Sequence, residues 1–275
     1  MKSKHLRDEQ KGFIFLLLIF VIIVGVSVYM YALLQKDSVI EELGNDEVLR
    51  MLFVIADENK EILLTNVLVY YPVLKKAAIV NIPNHVGAIY DSIGRVDRID
   101  AVYKEKGIMT YKQEIEKLIG YKISFYTILS ERNFSKITDM LGGLRVFIPA
   151  PIDVLTETGD RCLLPSGAVN LDGDKIYSYL NLNIPDEPYL DVQDRLQNIT
   201  NAFFSSFHEK KSVIFKKNRI FYKYYDLMNV NLDKKNALKL YDLISDMNSE
   251  SIIRQTVTGS SRVVDGQLLL FPLNN

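Results

Sequence analysis

An uncharged run of 23 residues near the start of the chain constrains its folding more than any other feature. The run extends from Gly12 to Leu34 and reads GFIFLLLIFVIIVGVSVYMYALL. A helix of this length, at about 1.5 Å per residue, exceeds the roughly 30 Å hydrocarbon core of a bilayer, and helical hydrogen bonding satisfies its backbone there. The alternative is a cleaved signal peptide, which has a shorter apolar part and a small-residue cleavage site. The bulky Tyr29, Met30 and Tyr31 favour an uncleaved transmembrane helix.

The charges that flank this run predict its orientation. The first 11 residues carry four Lys or Arg, whereas residues 35–50 carry two, among five acids. Lys and Arg hold their flank in the cytoplasm, and acids count for little in this rule. We therefore predict a single-pass protein of the cytoplasmic membrane, with its main domain extracytoplasmic or periplasmic. The predicted parts are a cytoplasmic tail (1–11), a transmembrane helix (12–34), a stalk (35–48) and a domain (49–275).

The composition of the chain excludes several functional classes. Its 33 Lys and Arg balance its 34 Asp and Glu, so the chain as a whole lacks the basic character that nucleic acid requires. Its one cysteine, Cys162, excludes an intrachain disulfide and a Cys-rich zinc site. An apolar content of 48% is typical of a packed core and not of a disordered chain.

Strand-like and helix-like segments alternate through residues 49–275. Short apolar runs predict strands at Leu52–Ala56, Asn66–Tyr71, Ala77–Ile82, Tyr121–Leu129, Leu144–Ile148, Ser251–Val257 and Gln267–Phe271. Helical spacing predicts helices at Thr110–Gly120, Ser130–Leu141, Asp172–Leu180, Tyr189–His208 and Asp233–Met247, with N-caps at Thr110, Ser130 and Asp233. This alternation predicts one α/β domain, an α-β-α sandwich whose central mixed sheet carries helices on both faces.

Three segments, taken in order, resemble a known protein family. They are residues 72–83 (PVLKKAAIVNIP), 98–103 (RIDAVY) and 134–146 (FSKITDMLGGLRV). They resemble the hairpin leading into the Ser-Ile-Pro-Arg-Asp motif, the Lys-Ile-Asn-Ala-Ala-Tyr segment and the Phe…Val-Asp-Ala-Leu-Gly-Gly-Val-x-Val block of the LytR-CpsA-Psr family of cell-envelope proteins. Their order and spacing carry the resemblance over most of residues 50–205.

This resemblance implies an activity and a set of site residues. Members of the family move a glycopolymer from an undecaprenyl-diphosphate carrier onto peptidoglycan, using a divalent cation, normally Mg²⁺, and arginines that hold the pyrophosphate. Such groups stabilise the charge on a diphosphate leaving group, and the polyprenyl tail needs an apolar slot. The resemblance implies a metal at Asp57, catalytic diphosphate contacts from Arg195 and Arg98, and substrate contacts from Asn84, His85, Asn181, Asn183 and Gln197. The implied partners are a polyprenyl phosphate or diphosphate lipid or a glycopolymer, together with peptidoglycan.

The sequence departs from the family where the family carries charge. Five family arginines are replaced here, by Glu61, Asn84, Asn181, Asn183 and Val192. Each Arg–phosphate contact is a charge-assisted hydrogen bond worth roughly 1.5–3 kcal/mol, and asparagine cannot supply that charge. Two hypotheses follow: a catalytically degenerate relative that binds polyprenyl-linked glycolipid or envelope glycan, or an active phosphotransferase with a rearranged, Mg²⁺-dependent site. The loss of charge favours the degenerate binder.

Each candidate residue also has a structural alternative. Asp57 follows a strand, where an aspartate often caps a turn. Arg195 lies near Asp191 and Asp194 in sequence, so a solvated surface ion pair is its alternative. The remaining alternatives are a pair between Arg98 and Asp100 and an exposed loop position for His85.

A basic segment near the end of the long helix interleaves cations with aromatic residues. The cations are Lys210, Lys211, Lys216, Lys217 and Arg219, and the aromatic residues are Phe215, Phe221 and Tyr222. Interleaving of this kind is typical of single-stranded nucleic-acid binding. Because the domain is predicted to lie outside the membrane, a basic face near lipid headgroups is the favoured interpretation.

Overall fold

The computed structural model describes residues 19–27, 48–155, 159, 161–185, 187–247, 250 and 252–273. The chain divides into two units, residues 1–41 and 42–275. Residues 19–27 are helical, and the rest of the predicted 12–34 helix, its tail and most of its stalk lie outside the described residues. Within the described residues, the structure contains no helix with the length and apolarity that a bilayer crossing requires.

The second unit alternates strands and helices. Its strands are β1 (Leu49–Ala56), β2 (Ile62–Tyr71), β3 (Lys76–Asn81), β4 (Gly87–Tyr90), β5 (Arg95–Arg98), β6 (Phe125–Ser130), β7 (Leu144–Ile148), β8 (Ile152–Leu155), β9 (Arg161–Leu164), β10 (Gly167–Leu171), β11 (Asn229–Val230), β12 (Ile252–Thr256), β13 (Gly259–Val264) and β14 (Gln267–Pro272). Its helices are α1 (Ile99–Lys106), α2 (Ile108–Ile119), α3 (Glu131–Leu141), α4 (Gly173–Leu180), α5 (Tyr189–Glu209), α6 (Lys211–Ile214), α7 (Asn218–Tyr225) and α8 (Lys234–Ile244).

A six-stranded sheet forms the centre of this unit, in the order β11-β6-β1-β2-β3-β12. Strand β1 pairs antiparallel with β2 and parallel with β6. Strand β3 pairs antiparallel with β2 and parallel with β12. The predicted mixed sheet is therefore confirmed, and residues 72–75 join β2 to β3 as a hairpin.

Helices cover both faces of this sheet. Alternate side chains of a strand point to opposite faces. From β1, Leu52 and Val54 pack in one buried cluster with Tyr111 of α2. On the opposite face, the ring of Phe53 lies 5.3 Å from that of Phe203 on α5. The predicted α-β-α sandwich is confirmed by this two-sided core.

Most of the predicted helix ends follow the expected local chemistry. The Ser130 hydroxyl accepts from the backbone N–H of Asn133 (3.1 Å), and Gly142 ends α3 with a left-handed φ of 75°. Asp233 caps α8 as predicted. The prediction for Thr110 is wrong, because α2 begins at Ile108 with Gly107 as its N-cap residue. A φ of 78° at Gly107, which glycine adopts at little cost, turns the chain from α1 into α2 and moves the start upstream.

Candidate functional site

A cavity of about 320 Å³ lies where β2 and the loop after β3 meet α4, α5 and their connection. We call this cavity the cleft. Its apolar lining residues are Ile62, Leu63, Leu64, Ile82, Leu180, Leu182, Val192 and Leu196. Its polar lining residues are Thr65, Asn81, Asn84, His85, Arg98, Gln193 and Arg195. An apolar wall with a few convergent polar groups is the usual character of a ligand site.

Buried hydrogen bonds fix the position of α5 over the sheet. The amide of Asn66 on β2 donates to the Thr200 hydroxyl at 2.7 Å, on the same face as Phe53. The amide of Asn81 on β3 donates to Gln193 Oε1 at 2.5 Å. Buried hydrogen bonds of this kind favour one arrangement, because any slip of the helix would leave these donors unpaired. These contacts hold Arg195 of α5 at the cleft.

All three nitrogen atoms of the Arg195 guanidinium donate hydrogen bonds within the protein. It forms a fork with Glu187, with Nε–Oε1 at 3.0 Å and Nη2–Oε2 at 2.9 Å. It also donates to the backbone carbonyls of Tyr179 (2.8 Å) and Leu182 (3.2 Å). Its side chain is only 7% exposed, so the alternative of a solvated pair with Asp191 or Asp194 is wrong. The bidentate geometry that a phosphate would take is occupied by Glu187.

Arg98 also lines the cleft, and it is paired with Asp100. It stands at the N-cap of α1, and its guanidinium donates to both carboxylate oxygens of Asp100, with Nε–Oδ1 at 3.0 Å. The side chain of Arg98 is 42% exposed and that of Asp100 is 14% exposed. Burial raises the pKa of Asp100, and the hydrogen bond and charge of Arg98 oppose that rise. Arg98 therefore pairs with Asp100, as the structural alternative predicts, although Arg98 still lines the cleft.

Asn84 and His85 lie on the loop after β3. The Asn84 amide donates to the Ile62 carbonyl, which ties this loop to the start of β2. The His85 carbonyl accepts from the backbone N–H of Leu270 at 2.8 Å. Burial, followed by the charge of Arg98, lowers the pKa of His85. Its imidazole is consequently uncharged at neutral pH and adds no cation to the cleft.

The other predicted site residues lie away from the cleft lining. Gln197 donates to the Gln255 carbonyl (2.5 Å) and to Thr256 (3.2 Å), and so fastens α5 to β12. Asn181 ends α4, and its amide donates to Glu131 (2.8 Å). Asn183 is exposed. The structure thus gathers Asn84, His85, Arg98 and Arg195 at one cavity and places Asn181, Asn183 and Gln197 elsewhere.

Asp57 also lies outside the cleft lining, in the turn between β1 and β2. Its carboxylate accepts from the backbone N–H of Glu61 (2.6 Å) and from the Asn59 amide (3.2 Å). The turn-capping alternative is confirmed. Across the described residues, no group of three or more His, Cys, Asp or Glu is arranged to hold a metal ion. This donor set does not fit a resident Mg²⁺ site, and the metal role of Asp57 stays a prediction.

Arg195 borders a second cavity of about 470 Å³, which we call the acidic cavity. Its apolar lining comes mainly from residues 149–154, Tyr179 and Ile184. Its charged lining residues are Asp153, Glu187, Asp191, Asp194 and Arg195. Carboxylates outnumber cations here, so this cavity has the wrong sign for a phosphate.

Sequence reasoning missed the two residues that explain the site. Gln193 lines the cleft and accepts a hydrogen bond from Asn81. The sequence pointed to such a partner only through Asn81, a polar residue at the end of an apolar strand. Glu187 neutralises Arg195, which lies eight residues later in the chain, and nothing in the sequence indicated that these two residues are in contact. It precedes α5 and folds back along the helix.

Comparisons with known proteins place this fold. The model of the LytR_cpsA_psr family matches residues 65–274. Bacillus subtilis TagV is 20% identical, with a TM-score of 0.71 over 82% of this chain and 91% of that chain. TagT bound to LI-WTA is 15% identical, with a TM-score of 0.68 over 83% and 86% of the two chains.

A protein from Enterococcus faecalis, described as a transcriptional regulator, is 15% identical, with a TM-score of 0.69 over 83% of this chain and 82% of that chain. At these identities the three structures show a shared fold. No curated protein matches this chain in sequence.

Proposed function

The chain belongs to the LytR-CpsA-Psr family, whose model covers more than half of it, and from this premise we propose a non-catalytic role. The protein binds a polyprenyl-linked glycolipid or an envelope glycan in the cleft and does not transfer it. It is anchored in the cytoplasmic membrane by residues 12–34 and acts outside that membrane, close to peptidoglycan. In this role it is a pseudoenzyme of cell-envelope assembly.

The pairing of the cleft arginines carries this proposal. Arg195 is forked to Glu187, and Arg98 is forked to Asp100. Among the described residues that line the cleft, both permanent cations are thereby neutralised by carboxylates of the same chain. A diphosphate leaving group is stabilised by fixed cations aimed at its developing charge. The cleft therefore lacks the electrostatic means for that step.

Recruiting Arg195 to a ligand carries a large energetic cost. The Glu187 side chain is only 12% exposed, and its pairing with Arg195 satisfies a largely buried charge. Removing one partner from a buried pair costs about 3–5 kcal/mol. A single Arg–phosphate contact returns roughly 1.5–3 kcal/mol. On these magnitudes, the internal pair persists when a diphosphate is presented to the cleft.

The apolar wall supports binding of a polyprenyl chain. Leu180, Leu182 and Leu196 face the cavity together with Val192, which replaces a family arginine and adds apolar surface. A volume of about 320 Å³ lies at the lower end of the range of ligand pockets, roughly 300–1,000 Å³. Such a cavity holds a short part of a polyprenyl chain.

One observation favours an active phosphotransferase as the second candidate. Because Arg98 is 42% exposed, its pair with Asp100 is partly solvated and weak. A ligand phosphate competes for that guanidinium at lower cost than for Arg195. In this alternative Arg98 meets the diphosphate, and the glycopolymer passes to peptidoglycan.

A binding comparison tests the proposed role. The purified full chain in detergent is titrated with undecaprenol and with undecaprenyl diphosphate, and affinities are read by native mass spectrometry. We expect both lipids to bind within about threefold of each other, because an added phosphate contact worth about 1.5–3 kcal/mol would separate them by roughly tenfold or more. Replacing Leu196 with Asp should weaken both. A diphosphate preference of about tenfold or more would contradict the proposal, and so would failure of both lipids to bind.

A further inference from the structure

A short stretch of the chain concentrates positive charge that the cleft does not use. Residues 210–223 contain six Lys or Arg and no acid, in a chain whose net charge is −1. The stretch spans α6, the turn after it and most of α7. Its four exposed cations are Lys216, Lys217, Arg219 and Lys223, which we call the basic surface.

The two phenylalanines of this stretch pack against other aromatic residues of the core. Phe221 is fully buried, and its ring lies 5.5 Å from that of Phe215 and 5.6 Å from that of Tyr241 on α8. Phe215 in turn packs on Phe207 of α5 (6.3 Å). Bases stack on exposed rings, so these phenylalanines provide no platform for single-stranded nucleic acid. Phe215 and Phe221 hold α6 and α7 in place and leave the cations outside.

The basic surface has no counter-charge among the described residues. No ion pair within 4.0 Å involves Lys216, Lys217, Arg219 or Lys223 in that part of the chain. The neighbouring acids have other partners, since Lys211 binds Asp242 (3.2 Å) and Asp246 (2.8 Å), and Lys234 binds Asp226 (2.6 Å). Arg219 and Lys223 are four residues apart on α7 and share one exposed face. An external anion would relieve the mutual repulsion of these two cations.

We propose that the basic surface docks on the anionic lipid headgroups of a bilayer. Val213, three residues before Lys216, is 60% exposed on α6. An exposed apolar side chain beside clustered cations is the pattern of a segment that lies in a membrane interface. The same chain carries the uncharged run at residues 12–34, which would hold the domain near such a surface. A soluble polyanion would satisfy the charges and leave Val213 without a role.

Lysine footprinting on the whole chain tests this docking. The chain is reconstituted into nanodiscs of phosphatidylcholine, alone or with one-third phosphatidylglycerol, and acetylation rates are read by mass spectrometry. We expect Lys216, Lys217 and Lys223 to react about fivefold more slowly in the anionic discs, and high salt to abolish the difference. Lys117 and Lys122 serve as internal controls, because they lie on or beside α2, which packs on the opposite face of the sheet. Equal rates in both discs would overturn the proposal.

Two further arms separate lipid from other anions and from misfolding. In one arm, soluble polyphosphate is added to the chain in neutral discs. If polyphosphate protects the lysines of the basic surface from acetylation and the anionic discs do not, the lipid assignment is overturned. The variant Lys216→Glu/Lys217→Glu should lose the protection of Lys223, whereas the matched variant Lys106→Glu/Lys136→Glu, which changes exposed lysines elsewhere, should keep it. Retained protection of Lys223 in the first variant would contradict the role of the basic surface.

Discussion

The cations of the cleft and those of the basic surface differ in pairing. Arg195 and Arg98 each meet a carboxylate in a two-pronged contact. Lys216 and Arg219, by contrast, have no described acid within ion-pairing distance. A count of Lys and Arg alone would predict that both regions bind phosphate. The contacts show that the fold neutralises the first region and leaves the second open to an external anion.

Burial explains this difference for Arg195. A charge that is 7% exposed is expensive unless it is paired and hydrogen-bonded, so the chain supplies Glu187. An exposed lysine stays hydrated and needs no partner to be tolerated. Relatives that keep several arginines around such a cleft would have charge left over for a ligand. In this chain, both arginines of the cleft are paired with carboxylates of the same chain.

Removing the counter-charge of Arg195 should produce the largest effect. Glu187→Ala leaves a buried guanidinium unpaired and should lower the free energy of unfolding by about 3–5 kcal/mol. The matched variant Asp153→Ala removes an exposed partner of Arg161, whose side chain is 64% exposed, and should cost about 0.2–1 kcal/mol. Urea unfolding measures both. Similar losses in the two variants would erase the distinction between buried and exposed pairs.

A conservative change should convert Arg195 into a ligand group. Glu187→Gln keeps the shape and one hydrogen bond but removes the negative charge. Affinity for inorganic diphosphate should rise by about 10- to 100-fold, because the guanidinium loses its counter-charge and one N–H of the fork becomes available. Isothermal titration of the wild type and the variant measures this change. Glu187→Gln combined with Arg195→Gln is the control, and an equal gain in the double variant would assign the new affinity elsewhere.

Asn84 should matter for the fold more than for phosphate. Asn84→Ala removes the hydrogen bond that ties the loop to the Ile62 carbonyl, and should cost about 1 kcal/mol of unfolding free energy. Asn183→Ala, at an exposed position, should be nearly neutral. Thermal and urea melts compare the two variants. A neutral Asn84→Ala would show that this residue does not hold the loop.

The smallest expected effect concerns His85 and pH. The pKa of His85 is lowered in the folded state. As pH falls below 6.5, His85 is therefore protonated in the unfolded chain before it is protonated in the folded chain. This contribution to stability is present above 6.5 and is lost as pH falls through the folded-state pKa. His85→Gln should flatten that part of the stability profile. Urea unfolding on either side of 6.5 checks the slope, and an unchanged slope would count against the lowered pKa.

Much of the fold followed from the periodicity of the sequence. The runs around Phe53 and Val67 predicted neighbouring buried strands, and capping residues such as Ser130 marked helix starts. The short pairs β4–β5 and β8–β9 escaped prediction because four-residue strands show almost no periodicity. Helix α1 was missed because it is a short element, and only Gly107 separates it from α2.

The candidate site was predictable in part. Four of the site residues implied by the family resemblance line one cavity, namely Asn84, His85, Arg98 and Arg195. Their partners were not predictable, since pairing depends on three-dimensional direction. Asp194 is adjacent to Arg195 in sequence but points to the exposed side of the helix, while Glu187 reaches back from before the helix start.

The transfer reaction itself tests the central claim most directly. The full chain in proteoliposomes is supplied with Mg²⁺, an undecaprenyl-diphosphate-linked glycan and peptidoglycan, and release of the phosphorylated lipid is measured. We predict no turnover above a protein-free control, because Arg195 and Arg98 are committed to Glu187 and Asp100. Mg²⁺-dependent transfer that is abolished by Asp57→Ala or Arg195→Gln would contradict it.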